Sequence, residues 1–499
     1  MKTTSSLGRL GRLAGLLIAA SAAVLSAPAG AQLSLTGSTP GASANASVSG
    51  GPLALGGLPS LTPVTGLLNG DLLTTLQKVL YGGRNDPFYD VNGVSTAGKK
   101  PGDILKSRTV LAPLYPEATV TQVMYVSTDH NGKLVPVTGT VLVPRLDLSG
   151  LVNLPLTVQG PLPTLPVVGE LLGANIGVPV GGPRYKARPV VGITPGTRGM
   201  GDHCAPSQGF NIATISPLMV DYSVAEYHQL LLRGYVVAVT DYIGGGTKVP
   251  EPYLVGRPEG MAGLDVIRAA LNLPNTGASK ADSMIGLTGY SQGGQAAAWA
   301  AQLQPTYAPE LNMKGVVAGG VVTDMNDLVD FFNQGGLINS GVLLAIMVGY
   351  DNAYPELNLK NYVKNDQAKK LFEAARTQCV YQELLAYPGL RSSDVTSPDF
   401  AQLPQFRARL KEQLLGTIAP RVPMYVYHGQ LDNIVPYQFG ERLRNSWCAQ
   451  GATVEFRSGP YEHMAGIFLG APGGVQFLAD RFAGKAPISN CTAGGGNRF

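Results

Sequence analysis

The sequence predicts an α/β fold in which helices cover both faces of a mostly parallel sheet. Short apolar runs such as Val190–Thr194 and Tyr235–Asp241 are typical of buried strands. Helical segments, Val224–Leu232 and Gly263–Leu273 among them, follow these runs. Within Met284–Ala300 an apolar run leads through a glycine-containing turn into an alanine-rich helix. Strands and helices that alternate in this way predict parallel strands joined by helices.

The chain begins with a segment typical of export. Residues 1–31 carry three basic residues, then the apolar run Leu13–Leu25, and end in Ala29-Gly30-Ala31. This pattern predicts a secretory signal peptide with an A-x-A cleavage site. The run is too short to span a bilayer, and no later segment is long and apolar enough. We therefore expect a soluble secreted protein, extracellular or periplasmic, without a transmembrane segment.

The charge balance gives little support to a nucleic-acid partner. Removal of three of the 37 Lys and Arg residues with the signal peptide would leave 34 against 33 Asp and Glu. No basic patch interleaved with aromatic residues stands out. The composition therefore predicts no nucleic-acid partner.

Two stretches have the composition of irregular structure. Residues 32–67 contain much Gly, Ser, Pro, Ala and Leu and no charged residue, which predicts a flexible low-complexity linker. Residues 71–96 then predict a first helix and loop. The stretch Arg145–Arg184 is rich in Pro, Leu and Gly, and only Asp147 and Glu170 are charged between its ends. It is compatible with an inserted loop or with an apolar flap.

The remaining strands bring the sheet to about eight. Val120–Ser127 and Val135–Val143 flank the turn Asp129-His130-Asn131-Gly132, which predicts an antiparallel hairpin. Three later runs also predict strands: Val316–Val322, Met424–Tyr427 and Val454–Arg457.

A long insertion separates the sixth strand from the next one. The roughly one hundred residues of 323–421 are too many for a bare loop in a compact domain. Their clearest helical segments are Leu359–Leu385 and Phe400–Leu415. We therefore expect a helical cap over residues 323–421, inserted into a core formed by residues 68–322 and 422–499.

The sequence Gly289-Tyr290-Ser291-Gln292-Gly293 matches the G-x-S-x-G pattern. Its position between an apolar strand and a helix is that of a nucleophile elbow, in which the serine adopts a strained conformation at the end of a strand. Side chains at Gly289 and Gly293 would collide where the helix packs against the strand. The elbow and the strand order together predict the α/β-hydrolase fold, with Ser291 as nucleophile.

A serine nucleophile needs a base, and in this fold the base follows the serine and the acid along the chain. The chain has five histidines, and only His428 and His463 follow Ser291. His463 comes after the last predicted strand, where the base belongs. His428 lies where the loop of the acid begins, so we interpret it as a structural partner.

The acid should follow the penultimate strand. Asp432 is the only carboxylate between that strand and Glu441. Asp241 ends an earlier strand and precedes the serine, so we interpret it as structural. Three further residues form a weaker alternative acid or a cluster at a helix start: Asp324, Asp327 and Asp330.

An oxyanion hole needs two backbone N–H groups. One should come from Gln292, the residue after the nucleophile. The other should come from the glycine-rich loop Pro195–Gly201, with Thr197 and Arg198 as the candidate donors, because glycines let a backbone approach an oxygen closely. The alternative is an ordinary flexible loop.

Four cysteines could form disulfides in an exported protein. They are Cys204, Cys379, Cys448 and Cys491, and they allow three pairings. The sequence has no C-x-x-C and no His-x-x-x-His pattern, so a metal site has little support.

From about Val120 to Cys491 the chain resembles the secretory lipase family of α/β-hydrolases. The motifs of the resemblance are Pro195-Gly196-Thr197, Cys204-Ala205-Pro206-Ser207, Gly234-Tyr235-Val236-Val237, Thr240-Asp241-Tyr242, Pro252-Tyr253-Leu254-Val255-Gly256, Leu264-Asp265-Val266-Ile267-Arg268-Ala269-Ala270, Gly289-Tyr290-Ser291-Gln292-Gly293-Gly294, Val435-Pro436 and Cys448. The resemblance implies esterase or triacylglycerol lipase activity, a helical cap after the sixth strand and no cofactor. It also implies the disulfides Cys204–Cys379 and Cys448–Cys491. The chain departs from the usual family pattern at Pro195, where members usually have histidine, and in a stretch Arg145–Arg184 that is longer than usual.

The sequence therefore predicts a secreted, lipase-like serine carboxylester hydrolase. Its expected partners are an ester or lipid substrate and, transiently, a lipid–water interface. A peptidase on the same fold is an alternative, although no large N-terminal propeller supports it. A binding protein that lost catalysis is a second alternative, and the intact set Ser291, Asp432 and His463 argues against it.

Overall fold

The computed structural model describes residues 34–39, 42–47, 86–145, 154–156, 178–180, 183–211, 221–335, 340–387, 389–491 and 497–498. The predicted signal peptide at 1–31 lies outside these residues, as do most of the predicted linker at 32–67, the predicted first helix before residue 86 and most of the stretch 145–184. Among the described residues, no helix combines the length and the apolar character needed to cross a membrane.

The chain divides into two units. The smaller unit comprises residues 1–69 and 148–183, and its described part is an antiparallel sheet of four short strands. These strands are Ser34–Thr39, Ala42–Ser47, Leu154–Leu156 and Val178–Val180. They lie in the two stretches for which the sequence predicts irregular structure.

The larger unit is built on a sheet of ten strands, two more than predicted. The strands are β1 Ile104–Val110, β2 Ala118–Thr128, β3 Leu134–Pro144, β4 Val190–Thr194, β5 Val236–Thr240, β6 Ile285–Tyr290, β7 Met313–Gly319, β8 Met424–Gly429, β9 Val454–Gly459 and β10 Asn497–Arg498. The two additional strands, β1 and β10, lie at the sheet edges. The predicted strand Val316–Val322 begins and ends three residues earlier, because the chain turns at Gly320, whose φ is 52°.

The order across the sheet is β10-β9-β8-β7-β6-β4-β5-β3-β2-β1. The hairpin β2–β3 and the pair β3–β5 are antiparallel, whereas β5, β4, β6, β7, β8 and β9 are parallel to one another. This exchange of β4 and β5 in an otherwise sequential order is that of the α/β-hydrolase fold, so the predicted fold class is confirmed. The carboxyl ends of the parallel strands meet at one edge, where a ligand site is expected.

Twelve α-helices occur in the described part of this unit. They are α1 Pro206–Phe210, α2 Val224–Leu232, α3 Gly256–Asn272, α4 Gln292–Tyr307, α5 Met325–Phe332, α6 Ser340–Ala353, α7 Asp366–Ala375, α8 Val380–Ala386, α9 Ser392–Val395, α10 Pro404–Lys411, α11 Gln438–Ala449 and α12 His463–Phe482. Short 3₁₀ helices occur at Pro87–Tyr89, Asp202–Cys204, Pro355–Leu357, Leu359–Tyr362 and Phe400–Gln402.

The sheet is buried on both faces. In β5, Val236 and Ala238 pack with residues of α3 and α4, whereas Val237 and Val239 pack with residues of α2 and α12. Successive side chains of a strand point to opposite faces, so a strand between two helical layers is apolar throughout. This explains why the central strands appear in the sequence as continuous apolar runs.

The insertion between β7 and β8 is helical and has its own apolar cluster, to which α5, α6, α7 and α10 contribute. The single helix predicted at Leu359–Leu385 is wrong, because the chain forms a 3₁₀ turn, α7 and α8 there. The Asn365 side chain accepts a hydrogen bond from Ala368 N at 2.9 Å and so caps α7. The break before α8 occurs at Cys379, which is held in a disulfide.

The four cysteines form the pairs Cys204–Cys379 and Cys448–Cys491, the same pairs that the family resemblance implies. The first joins the segment after β4 to the segment before α8. The second joins the end of α11 to the chain beyond α12. Their sequence separations are 175 and 43 residues.

We expect each disulfide to stabilise the protein chiefly by restricting the unfolded chain. The chain-entropy relation gives about 4 kcal/mol for the shorter loop and about 5 kcal/mol for the longer one. The double variant Cys448→Ser/Cys491→Ser should therefore lose less free energy of unfolding in urea than Cys204→Ser/Cys379→Ser. An unchanged urea midpoint in either variant would contradict this prediction.

Candidate active site

Ser291 occupies the turn between β6 and α4 and has an unusual backbone conformation. Its φ is 62° and its ψ is −119°, a region that non-glycine residues rarely adopt. The Ser291 N–H donates to Gly319 O on β7 at 2.9 Å, which holds the strained residue against the neighbouring strand. This is the geometry of a nucleophile elbow, which exposes the hydroxyl at the carboxyl edge of the sheet.

The glycines of the elbow are required by close packing. A Cβ at Gly293 would lie 1.9 Å from Thr194 O, and one at Gly289 would lie 2.2 Å from both Gly293 O and Thr194 Oγ1. The Thr194 hydroxyl, at the end of β4, donates to Gly293 O at 2.9 Å. The collision inferred from the sequence is therefore present at both positions.

Three side chains from three loops meet at this edge. Nε2 of His463, at the start of α12, lies 3.0 Å from Ser291 Oγ. Nδ1 of the same ring lies 2.7 Å from Asp432 Oδ2. With Nδ1–H donating to the carboxylate, Nε2 is left to accept the proton of the serine hydroxyl.

Asp432 is held in its ionised form by its surroundings. Its side chain is fully buried, and its Oδ1 accepts hydrogen bonds from Ile434 N at 3.0 Å and Val435 N at 2.7 Å. Burial acts to raise the pKa of Asp432, but the two imidazoles of His463 and His428 hold that pKa well below its usual range. The carboxylate therefore keeps its charge beside His463.

His428 supports the loop of Asp432. Its buried ring lies with Nε2 2.9 Å from Val435 O and 3.4 Å from Asp432 Oδ2. It does not contact Ser291. The position agrees with the structural part that we expect for it from the sequence.

Two further groups fix His463. The Tyr290 hydroxyl donates to His463 O at 2.7 Å. The carboxylate of Glu462 accepts hydrogen bonds from Met464 N and Ala465 N at 2.8 and 2.6 Å, which caps α12 and sets where the helix begins. The imidazole is thus anchored at its own backbone and at the following turn.

Asp241 lies in a separate buried polar network. It accepts hydrogen bonds from Ser207 N at 2.8 Å and Thr138 Oγ1 at 2.7 Å, and also bonds the Ser207 hydroxyl. Burial raises the pKa of Asp241 to about 6 against these hydrogen bonds. The network joins β3, β5 and α1, as expected for a structural residue.

The other alternative acids lie at the start of the insertion. Asp324 caps α5 by accepting a hydrogen bond from Asn326 N at 2.9 Å. Asp327 pairs with Arg442 at 2.7 Å, and Asp330 pairs with Arg407 at 2.5 Å. Asp324 and Asp327 therefore lie at the start of α5, as one of the two interpretations allowed, whereas Asp330 lies near the end of that helix.

The loop after β4 approaches the elbow. Thr197 and Gln292 both line the cavity beside Ser291, and the described residues supply no hydrogen-bond acceptor for their backbone N–H groups. Arg198 does not line this cavity; its guanidinium pairs with Asp221 at 2.6 Å and lies over the ring of Tyr222. Of the two candidates in the loop, Thr197 is therefore the one that borders the cavity.

The same loop is tied to the segment before α8. Val380 N donates to Arg198 O at 2.8 Å, and Gly201 N donates to Gln378 O at 3.2 Å. A Cβ at Gly199, where φ is 94°, would lie 2.4 Å from Gln378 O. With the Cys204–Cys379 disulfide beside them, these contacts couple the loop to the insertion.

The cavity at Ser291 has a volume of about 50 Å³ and an apolar wall. The insertion contributes Leu328, Phe332, Val342, Val380 and Leu384 to this wall. Leu344 and Met347, on the same helix as Val342, do not line this cavity and are fully buried in the apolar cluster of the insertion.

The sequence did not identify two residues beside the elbow. Glu259, on α3, accepts a hydrogen bond from the Gln292 side chain at 2.8 Å. The Tyr253 hydroxyl lies 2.8 Å from Thr197 Oγ1. Because the sequence predicts that α3 begins at Gly263, Glu259 lay in an apparent loop. With the true start at Gly256, Glu259 would have stood out as an acidic residue within an apolar helical face.

One group of potential metal ligands occurs among the described residues: His203, Cys204 and Cys379. Both cysteines are joined in a disulfide, so neither offers a thiolate.

Comparison with known families and proteins adds to this geometry. The family model described as secretory lipase matches residues 211–490, more than half of the chain. Lipase 2 of Candida albicans is 30% identical over 316 residues, which cover 58% of this chain and 64% of that protein. A secreted triacylglycerol lipase of Malassezia furfur is 28% identical over 435 residues, which cover 83% of this chain and 78% of that protein. The chain thus spans less than two thirds of the length of the Candida albicans relative.

Two solved structures share the fold. Lipase A of Candida antarctica superposes with a TM-score of 0.65 at 24% identity, covering 84% of this chain and 90% of that one. The rice cell wall degrading esterase LipA of Xanthomonas oryzae superposes with a TM-score of 0.55 at 18% identity, covering 77% of this chain and 99% of that one.

Proposed function

The chain belongs to the secretory lipase family, and we propose that it is a secreted carboxylic ester hydrolase of the triacylglycerol lipase type. Ser291, His463 and Asp432 are its catalytic triad in this proposal. The observation that carries it is the relay of two hydrogen bonds, 3.0 Å from Ser291 to His463 and 2.7 Å from His463 to Asp432, at a strained elbow.

The reaction follows from the order of these groups. The Ser291 hydroxyl attacks the ester carbonyl while His463 Nε2 accepts its proton, and the same nitrogen returns the proton to the leaving alcohol. Water then cleaves the acyl-enzyme by the same proton transfers. Asp432 orients the imidazole and stabilises its protonated form, which the low pKa of this carboxyl permits.

The negative oxygen of the tetrahedral intermediate needs two preorganised donors. We assign these to the backbone N–H groups of Gln292 and Thr197, which border the cavity and have no acceptor among the described residues. The N-terminus of α4 adds its partial positive charge behind the same point. Arg198 is the second candidate in the loop. Its carbonyl oxygen accepts a hydrogen bond from Val380 N, which supports the loop.

The wall of the cavity favours an apolar acyl group. Phe332 and Val342 come from the insertion, Ile434 comes from the loop of the acid, and Ile467 comes from α12, the helix that begins at the base. Relatives named secreted triacylglycerol lipases support a lipid ester as substrate and an extracellular location. The insertion at 323–421 acts as the cap in this proposal, because five of its residues line the cavity.

We expect Ser291→Ala, His463→Ala and Asp432→Asn each to lower kcat on a p-nitrophenyl ester by about 10⁴-fold or more, because the triad acts as a unit. Asp327→Asn is the matched control for the acid, since this carboxylate is exposed and pairs with Arg442. A serine-directed phosphonate should label Ser291. A folded Ser291→Ala protein with half the wild-type rate would refute the triad, and a preference for anilides over esters would indicate a peptidase.

The proposal that the insertion forms part of the acyl-binding wall of the cavity can be tested with two residues of α6. Val342→Trp should shift the preference toward shorter acyl chains, because the indole would fill space beside Ser291. Leu344→Trp, two residues away in the buried cluster, should instead cost about 1–3 kcal/mol of stability and leave the relative rates unchanged. The measurement is the rate of each variant on p-nitrophenyl esters of increasing acyl chain length. Identical profiles for both variants would remove the insertion from the substrate site.

The surface beside the site suits a lipid–water interface. Leu431, next to the acid, is 64% exposed, and Phe468, next to the cavity residue Ile467, is 50% exposed. Contiguous exposed apolar patches mark surfaces that contact membranes or other apolar phases, and in this proposal Leu431 and Phe468 contribute to such a patch.

We expect Leu431→Ser and Phe468→Ser to lower the rate on emulsified triglyceride several-fold while the rate on a soluble short-chain ester stays within about twofold, since each removes apolar area from the interface. Leu111→Ser is the matched control, because Leu111 is 69% exposed and lies between β1 and β2. An equal loss on both substrates would contradict this prediction.

A further inference from the structure

We infer that Glu259 is a positioning residue of the oxyanion hole and that it acts as a neutral acid joining the two donors of that hole. The inference rests on the proposed function, because it concerns the same site. It assigns a task to a buried side chain that takes no direct part in the reaction.

Glu259 is bound to the elbow through one oxygen. Its Oε1 accepts hydrogen bonds from Gln292 Nε2 at 2.8 Å and from Leu254 N at 2.9 Å. Gln292 directly follows the nucleophile, and its own N–H is the first proposed donor. The carboxyl therefore fixes the residue that carries this donor from the side of α3.

The second donor is reached through the loop before α3. Tyr253 precedes Leu254 in the chain, and its hydroxyl lies 2.8 Å from Thr197 Oγ1. Leu254 has a φ of 58°, which a non-glycine residue adopts only when its surroundings hold it. Glu259 supplies the acceptor for the N–H of this strained residue, so the chain of contacts runs from Gln292 to Thr197.

The arrangement matters because the oxyanion hole depends on distance. Donors stabilise the developing charge only within about 2.7–3.1 Å of the oxygen. A displacement of about 1 Å can cost about a hundredfold in rate. A side chain that sets the separation of Gln292 and Thr197 therefore acts on the transition state through them.

The carboxyl is kept neutral by its surroundings. Glu259 is buried, and its Oε2 has no hydrogen-bond partner among the described residues. Burial raises the pKa of Glu259 to about 8, although the hydrogen bonds from Gln292 and Leu254 act in the opposite direction. Below that pH the group carries no charge near the developing oxyanion.

Among the residues that the structure describes, no cation acts on the pKa of Glu259, so none offsets its charge once it ionises. The titratable groups that interact with it are Glu251 and Tyr253 in the preceding loop, Tyr242 after β5 and Tyr350 on α6. Burial raises the pKa of each of these groups well above its ordinary value, so the three tyrosines carry no charge near pH 7. As the pH rises through about 8, Glu259 becomes a buried anion, which repels the oxyanion and should lower kcat.

The test compares Glu259→Gln with Glu259→Leu on a soluble short-chain p-nitrophenyl ester between pH 6 and 10. The amide keeps an acceptor oxygen and cannot ionise, whereas leucine removes the acceptor. We expect wild-type kcat to fall above about pH 8 and Glu259→Gln to lack this fall. Glu259→Leu should lose about 10- to 100-fold in kcat at pH 7 with KM changed by less than about threefold, and Glu259→Gln should recover most of that loss.

Glu383 provides the matched control. It is fully buried, and burial raises its pKa to about 8 as well, but among the described residues it has no hydrogen bond to Gln292 or Leu254. Glu383→Gln should therefore keep the fall of kcat above about pH 8.

Three results would overturn the inference: a wild-type rate that does not fall above about pH 8, a fall that persists in Glu259→Gln, or one that disappears in Glu383→Gln. If Glu259→Leu does not fold, the pH profiles of the two glutamine variants still decide. Labelling of Ser291 by the phosphonate distinguishes failure of the proposed function from failure of this inference alone. If Ser291→Ala abolishes activity but the Glu259 variants do not behave as expected, only this inference is refuted.

Discussion

The close approach of α4 to the end of β4 is the constraint on which the site depends. The Thr194 hydroxyl bonds Gly293 O at 2.9 Å, and Thr194 O leaves no room for a Cβ on Gly293. Because the helix begins so close to the sheet, Ser291 must turn with a φ of 62°, and the Gly319 carbonyl holds it there. The backbone strain, about 1–3 kcal/mol for such a residue, is offset by this packing. The position of the Ser291 hydroxyl at the cavity, and of the Gln292 N–H that has no acceptor among the described residues, are consequences of the same contact.

The parts of the site that obey local rules could be predicted from the sequence. The elbow, the strands around it and the order of serine, acid and base all depend on short patterns, and the structure brings Ser291, Asp432 and His463 together. Glu259 could not be found in this way, because Gly256 and Gly260 have low helix propensity and the sequence therefore gives no helix signal for the first turns of α3. These glycines are explained only by tertiary packing: a Cβ at Gly256 would lie 2.2 Å from the Trp299 ring, and one at Gly260 would lie 2.7 Å from Ala300 N. Weak helix propensity was overridden by close contact between α3 and α4.

The insertion shows a second limit of sequence patterns. Its length and apolar content predicted a helical element correctly, but not which apolar residues face the cavity. Val342 and Leu344 lie two positions apart on α6, so they point in different directions around the helix axis. Both are buried in the cluster of the insertion, but only Val342 also lines the cavity, a distinction that depends on how α6 is rotated against the core. Such rotation is set by contacts between distant parts of the chain.

Two buried carboxyl groups are linked to the elbow, Asp432 through His463 and Glu259 through Gln292, and their surroundings give them different charge states. Asp432 lies against two imidazoles, which hold its pKa low, so it remains an anion that stabilises the protonated form of His463. Glu259 has only amide donors, and burial raises its pKa to about 8, so it remains neutral near the oxyanion. In the proposed mechanism, the transition state places positive charge on the imidazole and negative charge on the substrate oxygen. An anion beside the imidazole stabilises the positive charge, and a neutral acid behind the donors does not repel the negative one, so the same residue chemistry serves both in two different environments.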